Sequence, residues 1–167
     1  TSGIVSATVA GTDLSGKAYA GTTSITFTID NTAPTVTLTD TDSNNIVAGS
    51  NVVTITATFS ESMAVTPTIN ITGEVSNVAM TASTTADVWI YPWTVSTTTS
   101  GIVSATVAGT DLSGKAYAGA TSITFTIDNT APTVILTDTG IYTSLTADSY
   151  NLVSGSGVVT ITATFSE

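Results

Sequence analysis

The chain of 167 residues contains no cysteine and no histidine, and these absences exclude several kinds of chemistry. Without cysteine there is no disulfide, so burial of a core and binding of metal ions remain as sources of stability. Without histidine or cysteine there is no His-based catalytic triad, no thiol nucleophile and no transition-metal site of the usual ligands. We therefore expect that the chain is not an enzyme.

Positive charge and long apolar runs are also scarce. The chain has two basic residues, Lys17 and Lys115, and 12 acidic residues, which gives a net charge of −10. Such a charge repels nucleic acids and anionic lipid surfaces. The longest markedly apolar stretch, VWIYPW at Val88–Trp93, is far too short to span a bilayer. We expect no nucleic-acid partner and no membrane insertion in this segment.

The residues that dominate the chain favour β-strands. There are 39 threonines and 20 serines, and valine and isoleucine supply most of the apolar positions. Thr, Val and Ile are enriched in strands because branched side chains pack well on a pleated surface. The composition therefore predicts an all-β fold.

A long segment of the chain occurs twice. Thr1–Thr41 returns at Thr99–Thr139, so the spacing is 98 residues, the size of a small domain. The two copies differ at two positions, Thr22→Ala120 and Thr37→Ile135. A repeat this close indicates copies of one structural module.

A second repeat sets the module boundaries. The segment VVTITATFSE at Val52–Glu61 returns at Val158–Glu167 with an offset of 106, so the later copy has gained eight residues. We predict the C-terminal part of one module at 1–30, a complete module at 31–128 and the N-terminal part of the next at 129–167. The short proline-containing linkers predict a semi-rigid rod that advances by roughly 40 Å per repeat.

Period-two alternation of apolar residues predicts seven strands in the complete module. Their approximate bounds are Thr35–Thr39, Val52–Ser60, Thr68–Ile71, Ser76–Ala82, Asp87–Val95, Ile102–Ala108 and Ser122–Ile127. The inward positions are predicted to be Val53, Ile55, Ala57, Phe59, Val103, Ala105, Val107, Ile123, Phe125 and Ile127. Short strands at this spacing match an immunoglobulin-like sandwich better than a barrel or a propeller.

One predicted strand carries an aromatic row. Alternation places Trp89, Tyr91, Trp93 and Val95 on the same face. Such a row can be a platform for sugar rings or the large filler of a sandwich core. The core interpretation is favoured, because the strands of small residues need bulky partners to reach native packing density. Pro92 lacks an N–H and predicts an edge strand or a bulge.

Three segments carry a resemblance to a known family. GTDLSGKAYAG, SITFTIDNTAPTV and VVTITATFSE are similar to bacterial Ig-like tandem repeats with DNTAP linkers, which occur in giant secreted cell-surface adhesins of gliding and biofilm-forming bacteria. The resemblance implies tandem Greek-key sandwiches of about seven strands, located outside the cell. It further implies a stalk or filament that extends a binding region from the cell surface, with neighbouring repeats of the same chain as partners.

The acidic residues allow two interpretations. Nine are Asp and three are Glu, as expected if they form turns or if they bind calcium through oxygen ligands. The resemblance implies interdomain Ca²⁺ sites in which a linker acid, Asp30 or Asp128, joins Asp13 or Asp111. The candidate ligands are Asp13, Asp30, Asp40, Asp42, Asn44, Asp111, Asp128 and Asp138. Turn formation and solvated charge are the alternative for each.

Two other functions stay open. The loop Gly140–Ser156 differs between the copies, and its Tyr142 and Tyr150 are candidate contacts for a ligand or a surface glycan. Low surface charge and Thr-rich faces also permit lateral packing of several copies into a fibre.

Overall fold

The computed structural model describes residues 2–138 and 158–166, and within these stretches the chain forms strands and no helix. The all-β prediction is confirmed. Two compact units are present, Thr1–Asn129 and Thr130–Glu167.

Two sheets lie on opposite sides of one hydrophobic core, in a β-sandwich-like arrangement that we call the central sandwich. The first sheet has the order β3-β5-β9-β8, formed by β3 (Val36–Asp40), β5 (Val52–Phe59), β9 (Val88–Thr94) and β8 (Thr81–Ala82). The second has the order β4-β11-β10-β6-β7, formed by β4 (Ile46–Val47), β11 (Ser122–Ile127), β10 (Gly101–Ala108), β6 (Thr68–Ile71) and β7 (Val75–Ala79). All pairs are antiparallel except β4 with β11.

The predicted inward positions form this core. Val53, Ile55, Ala57 and Phe59 on β5 are buried, as are the predicted positions of β10. Phe125 and Ile127 on β11 are also buried, whereas Ile123 is partly buried and packs against the core. Alternation works here because one face of each sheet is turned to the other sheet.

The aromatic row belongs to the core. Trp93 and Val95 are buried, and Trp89 and Tyr91 are partly buried and pack against the core cluster. The Trp93 ring lies 5.3 Å from that of Phe125 on the opposite sheet. β9 is an inner strand of its sheet and not the predicted edge strand. Pro92 is exposed and pairs with Thr54 of β5, and it lies beyond the residues of β9 that pair with β8.

The structure adds two short strands to the seven predicted. β4 was not predicted, because two residues are too few to show a period. The predicted strand 76–82 is two strands, β7 and β8, which belong to different sheets. Met80 lies between them with a buried side chain, and its N–H donates to the carbonyl of Pro67. The chain changes sheets there.

Two further hairpins lie outside the central sandwich. The first pairs β1 (Gly3–Thr8) with β2 (Ser24–Ile29), and the second pairs β12 (Val134–Asp138) with β13 (Ile161–Phe165). Every residue of these four strands is exposed. Their apolar faces therefore have no second sheet against them among the described residues.

Candidate metal site

Three carboxylates converge where the chain enters the central sandwich. One oxygen from each of Asp30, Glu61 and Asp111 lies within 4.8 Å of the other two. Asp30 follows β2 directly, Glu61 comes two residues after β5, and Asp111 lies in the turn after β10. The cluster thus joins an incoming linker to two loops of the sandwich.

The Asp111 side chain is fixed by its own turn. Its Oδ1 accepts the N–H of Ser113 at 2.8 Å, the hydroxyl of Ser113 at 2.8 Å and the N–H of Lys115 at 2.7 Å. Only 1% of Asp111 is exposed, and its Oδ2 is buried with no hydrogen-bond partner. A buried carboxylate oxygen without a donor is costly, and a cation would satisfy it.

The loop after β5 covers Asp111. Met63 forms a β-bridge with Asp111, and the N–H of Ala64 donates to the carbonyl of Thr110 at 2.8 Å. Gly109 permits this close approach, because a Cβ there would lie 2.9 Å from the sulfur of Met63. The same loop brings Glu61 to the cluster.

The linker holds Asp30 in a second turn. Its Oδ1 accepts the N–H of Thr32 at 2.9 Å and the hydroxyl of Ser2 at 3.4 Å. The Ser2 oxygen in turn accepts the N–H of Asn31 at 3.0 Å. Asp30 is therefore anchored to the start of β1 as well as facing the central sandwich.

The electrostatics reflect three like charges in a small space. Burial raises the pKa of Glu61, and the charges of Asp30 and Asp111 and a hydrogen bond with Asp30 raise it further. Burial also raises the pKa of Asp111, but the hydrogen bonds from Lys115, Ser113 and Gly114 outweigh it and leave the pKa below its usual value. Glu61 is thus harder to ionise than an ordinary glutamate.

The donor set fits a hard cation. All three side chains offer oxygen, the ligand atom that Ca²⁺ takes in proteins. Ca²⁺ uses six to eight oxygens, so backbone carbonyls and water would have to complete the shell. The arrangement can hold such an ion between the linker and the sandwich.

The predicted candidates in the loop after β3 form turns. Asp40 Oδ1 accepts the N–H of Asp42, and Asp42 Oδ1 accepts those of Asn44 and Asn45. Asn44 Oδ1 accepts the N–H of Ile46 at 3.0 Å. These three side chains form turns, the alternative to metal binding, because each accepts hydrogen bonds from backbone N–H groups of its own loop.

The other candidates are not members of this group of three carboxylates. Asp13 is exposed, and bonds from the hydroxyl of Ser15 and then the N–H of Lys17 lower its pKa. Asp128 follows β11, and Asp138 ends β12. Among the described residues, only Asp30, Glu61 and Asp111 form a group of three potential ligands.

Tyr142 and Tyr150 lie outside the described residues. The sequence analysis did not predict Glu61 as a metal ligand, although this residue ends the repeated VVTITATFSE segment. An acid retained beside a strand end in both copies was the available signal.

No protein-family model, no curated protein and no solved structure matches this chain. Within residues 2–138 and 158–166 there is no helix of the length and apolarity needed to cross a membrane.

Proposed function

We propose that this chain is a spacer segment of a long, repetitive extracellular bacterial adhesin, and that it extends a binding region from the cell surface. The observation that carries the proposal is the 41-residue segment that returns after 98 residues with two changes. Near-identity of the repeated parts of successive modules favours a role that depends on the length of the array and on the number of its repeats. The resemblance to DNTAP-linked tandem repeats of adhesins supports the same role.

The proposed repeat unit is an immunoglobulin-like Greek key. Its support is the strand order, in which the chain changes sheets before and after β4, between β5 and β6, between β7 and β8 and between β9 and β10. β4 and β11 are the first and the last strand of the second sheet in chain order. They lie side by side at one edge of the sheet and run parallel. This pattern agrees with a sandwich whose strands alternate between two sheets.

The acidic cluster is proposed to bind Ca²⁺ and to stiffen the junction. Asp30 belongs to the segment that precedes the central sandwich, whereas Glu61 and Asp111 belong to the sandwich itself. An ion bound by all three would restrict the linker, and the buried Oδ2 of Asp111 would gain a partner. The ion would also offset the burial and the repulsion from Asp30 and Asp111 that raise the pKa of Glu61.

Thermal unfolding with and without a chelator tests the calcium role. We expect the melting temperature of the full chain to rise in Ca²⁺ and to fall again when the chelator is in excess, because an ion that binds only the folded state stabilises it. Mg²⁺ at equal concentration is the control, since it demands a tighter octahedral site. An unchanged transition in Ca²⁺ would remove the metal from the proposal.

The stalk role has its own test. An antibody against residues 31–128 would detect the intact parent protein on the cell surface. We expect a band of several hundred kilodaltons that external protease removes from whole cells. A product near the 16.8 kDa of this chain would refute the spacer role, and it would leave the calcium test unaffected.

A further inference from the structure

The strands of the central sandwich carry almost no charge. The chain has a net charge of −10, yet the nine strands β3–β11, all within the described residues, contain one charged residue, Asp40. Asp40 ends β3 and shares the inward phase of the buried Val36. The other acids of residues 31–128 lie in loops, among them Glu61 and Asp111 of the metal site. Among the described residues, both outer faces of the sandwich are therefore uncharged surfaces on a strongly acidic chain.

The outer face of the five-stranded sheet is defined by strand pairing. Residues that alternate with buried ones on β10 and β11 face away from the core, and their partners on β4 and β6 lie beside them. We call the resulting eight residues the outer patch; they form the rows Ile46, Thr126 and Ile102, then Thr124 and Ser104, then Ser122, Thr106 and Asn70. All of them belong to the complete module, so the patch does not depend on where the sequence begins.

The outer patch exposes more apolar surface than the outer face of the other sheet. Ile102 is 76% exposed and Ile46 is 59% exposed, and both lie in the same row. On the four-stranded sheet the outward Val88 and Ile90 are partly buried. Burial of exposed apolar area is favourable, so the five-stranded sheet has more to gain from a covering partner.

We propose that the outer patch is an interface at which a second copy of the chain packs side by side with the first. Six of its eight residues are Ser, Thr or Asn, whose side chains both donate and accept hydrogen bonds. Two identical patches can therefore satisfy each other in a two-fold arrangement. The two isoleucines supply apolar burial, and no carboxylate of the patch has to approach a like charge.

The repeat favours a copy of the chain over an unrelated partner. β1–β2 has the same outward residues in the same register, with Ile4 opposite Thr28 as Ile102 is opposite Thr126. The patch sequence thus recurs after 98 residues. A second copy has patches at the same spacing, so each of its patches can meet one on the first copy.

The size of the patch explains why this recurrence matters. The face of one module covers roughly 20 Å by 20 Å, or 400 Å². A stable interface takes about 800 Å² from each partner, so a single pair of patches binds weakly. Several linked pairs bind much more strongly, because each later contact is intramolecular. This inference adds a self-binding role to the proposed spacer, and it does not depend on the metal site.

A bead-clustering assay presents many copies at once. The full chain is attached to beads through an N-terminal biotin. Every chain carries Phe27→Asp and Phe165→Asp, so that the exposed apolar faces of the two outer hairpins do not cause association. We expect these beads to cluster. Adding Thr124→Lys and Thr126→Lys should reduce the clustered fraction at least about tenfold, because like charges then meet across the interface. Absence of clustering, or clustering that survives the lysines, would overturn the proposal.

Opposite charges and a control face make the test specific. Thr124→Glu with Thr126→Glu should also prevent clustering, whereas a mixture of lysine beads and glutamate beads should cluster again, which shows that the variants are folded. Thr37→Lys with Thr58→Lys puts the same charges at exposed, paired positions on the other sheet and should leave clustering unchanged. A mixture that fails to cluster, or an equal loss from the control pair, contradicts the proposed interface.

Discussion

The two copies of the repeated hairpin have the same local structure in different environments. In each turn the aspartate Oδ1 accepts the N–H groups two and four residues later, at 2.9 and 2.9 Å for Asp13 and at 2.8 and 2.7 Å for Asp111. The N–H of each aspartate donates to the lysine carbonyl four residues on at 2.9 Å. Strand pairing and turn therefore follow from the segment alone, without a covering sheet.

Burial separates the copies. Asp111 is buried beneath the loop of Met63, whereas Asp13 is exposed. The Phe59 and Tyr117 rings meet edge to face at 6.3 Å beside the second turn. The burial of the core side chains and of the aspartate thus depends on the strands and the loop packed on the hairpin, because the sequence and the turn are the same in both copies.

The largest difference is expected for the equivalent phenylalanines. Phe125→Ala should lower the free energy of unfolding by about 3–5 kcal/mol, because it leaves a cavity in the core. Phe27→Ala should cost less than about 1 kcal/mol, since its ring is half exposed. Urea denaturation of both full-length variants measures the difference. Similar losses would show that both hairpins are covered in solution.

The next largest difference is expected between the equivalent aspartates Asp13 and Asp111, in the effect of calcium on the melting temperature. Asp111→Asn keeps an acceptor for the turn but removes the ligand oxygen, so we expect it to abolish a calcium-dependent rise of several degrees in melting temperature. Asp13→Asn, in the same turn sequence, should keep that rise. Scanning calorimetry with and without Ca²⁺ compares them. A rise that survives in Asp111→Asn would place the ion elsewhere.

The glycines that begin the two turns offer a smaller contrast. A Cβ on Gly109 would lie 2.9 Å from the Met63 sulfur and 3.3 Å from the Phe59 ring, whereas one on Gly11 would meet nothing within 4 Å. Gly109→Ala should cost about 1–2 kcal/mol and Gly11→Ala less than about 0.5 kcal/mol. Urea denaturation reports both values. A neutral Gly109→Ala would mean that the covering loop shifts freely.

The smallest effect concerns pH. The raised pKa of Glu61 means that the folded state holds its proton more tightly than the unfolded state. Stability should therefore fall as pH rises from the ordinary glutamate value through the raised one. In chelator at neutral pH, Glu61→Gln should be at least as stable as wild type, and the difference should vanish at low pH. In Ca²⁺ the order should reverse. Thermal melts across pH, with and without Ca²⁺, measure this.

The sequence predicts what is local and periodic. The buried positions of β5 and β10 follow from alternation, because half-buried strands require it. The division of 76–82 between two sheets does not, since it depends on Met80 entering the core as the chain crosses. The proximity of Asp30 to Asp111 could be predicted only through the family resemblance. The position of Glu61 beside them could not be predicted, because it depends on a contact between loops that are distant in sequence.

The parallel pairing of β4 with β11 has a mechanical consequence. The N–H groups of Thr126 and Asp128 donate to the carbonyls of Asn45 and Val47, both at 2.8 Å. β4 lies near the beginning of residues 31–128 and β11 at their end, so tension along the chain pulls these strands past each other in opposite directions. Their hydrogen bonds are then loaded together in shear, whereas a hairpin pulled from its open end breaks one pair at a time. The central sandwich thus resists extension through a strand of only two residues.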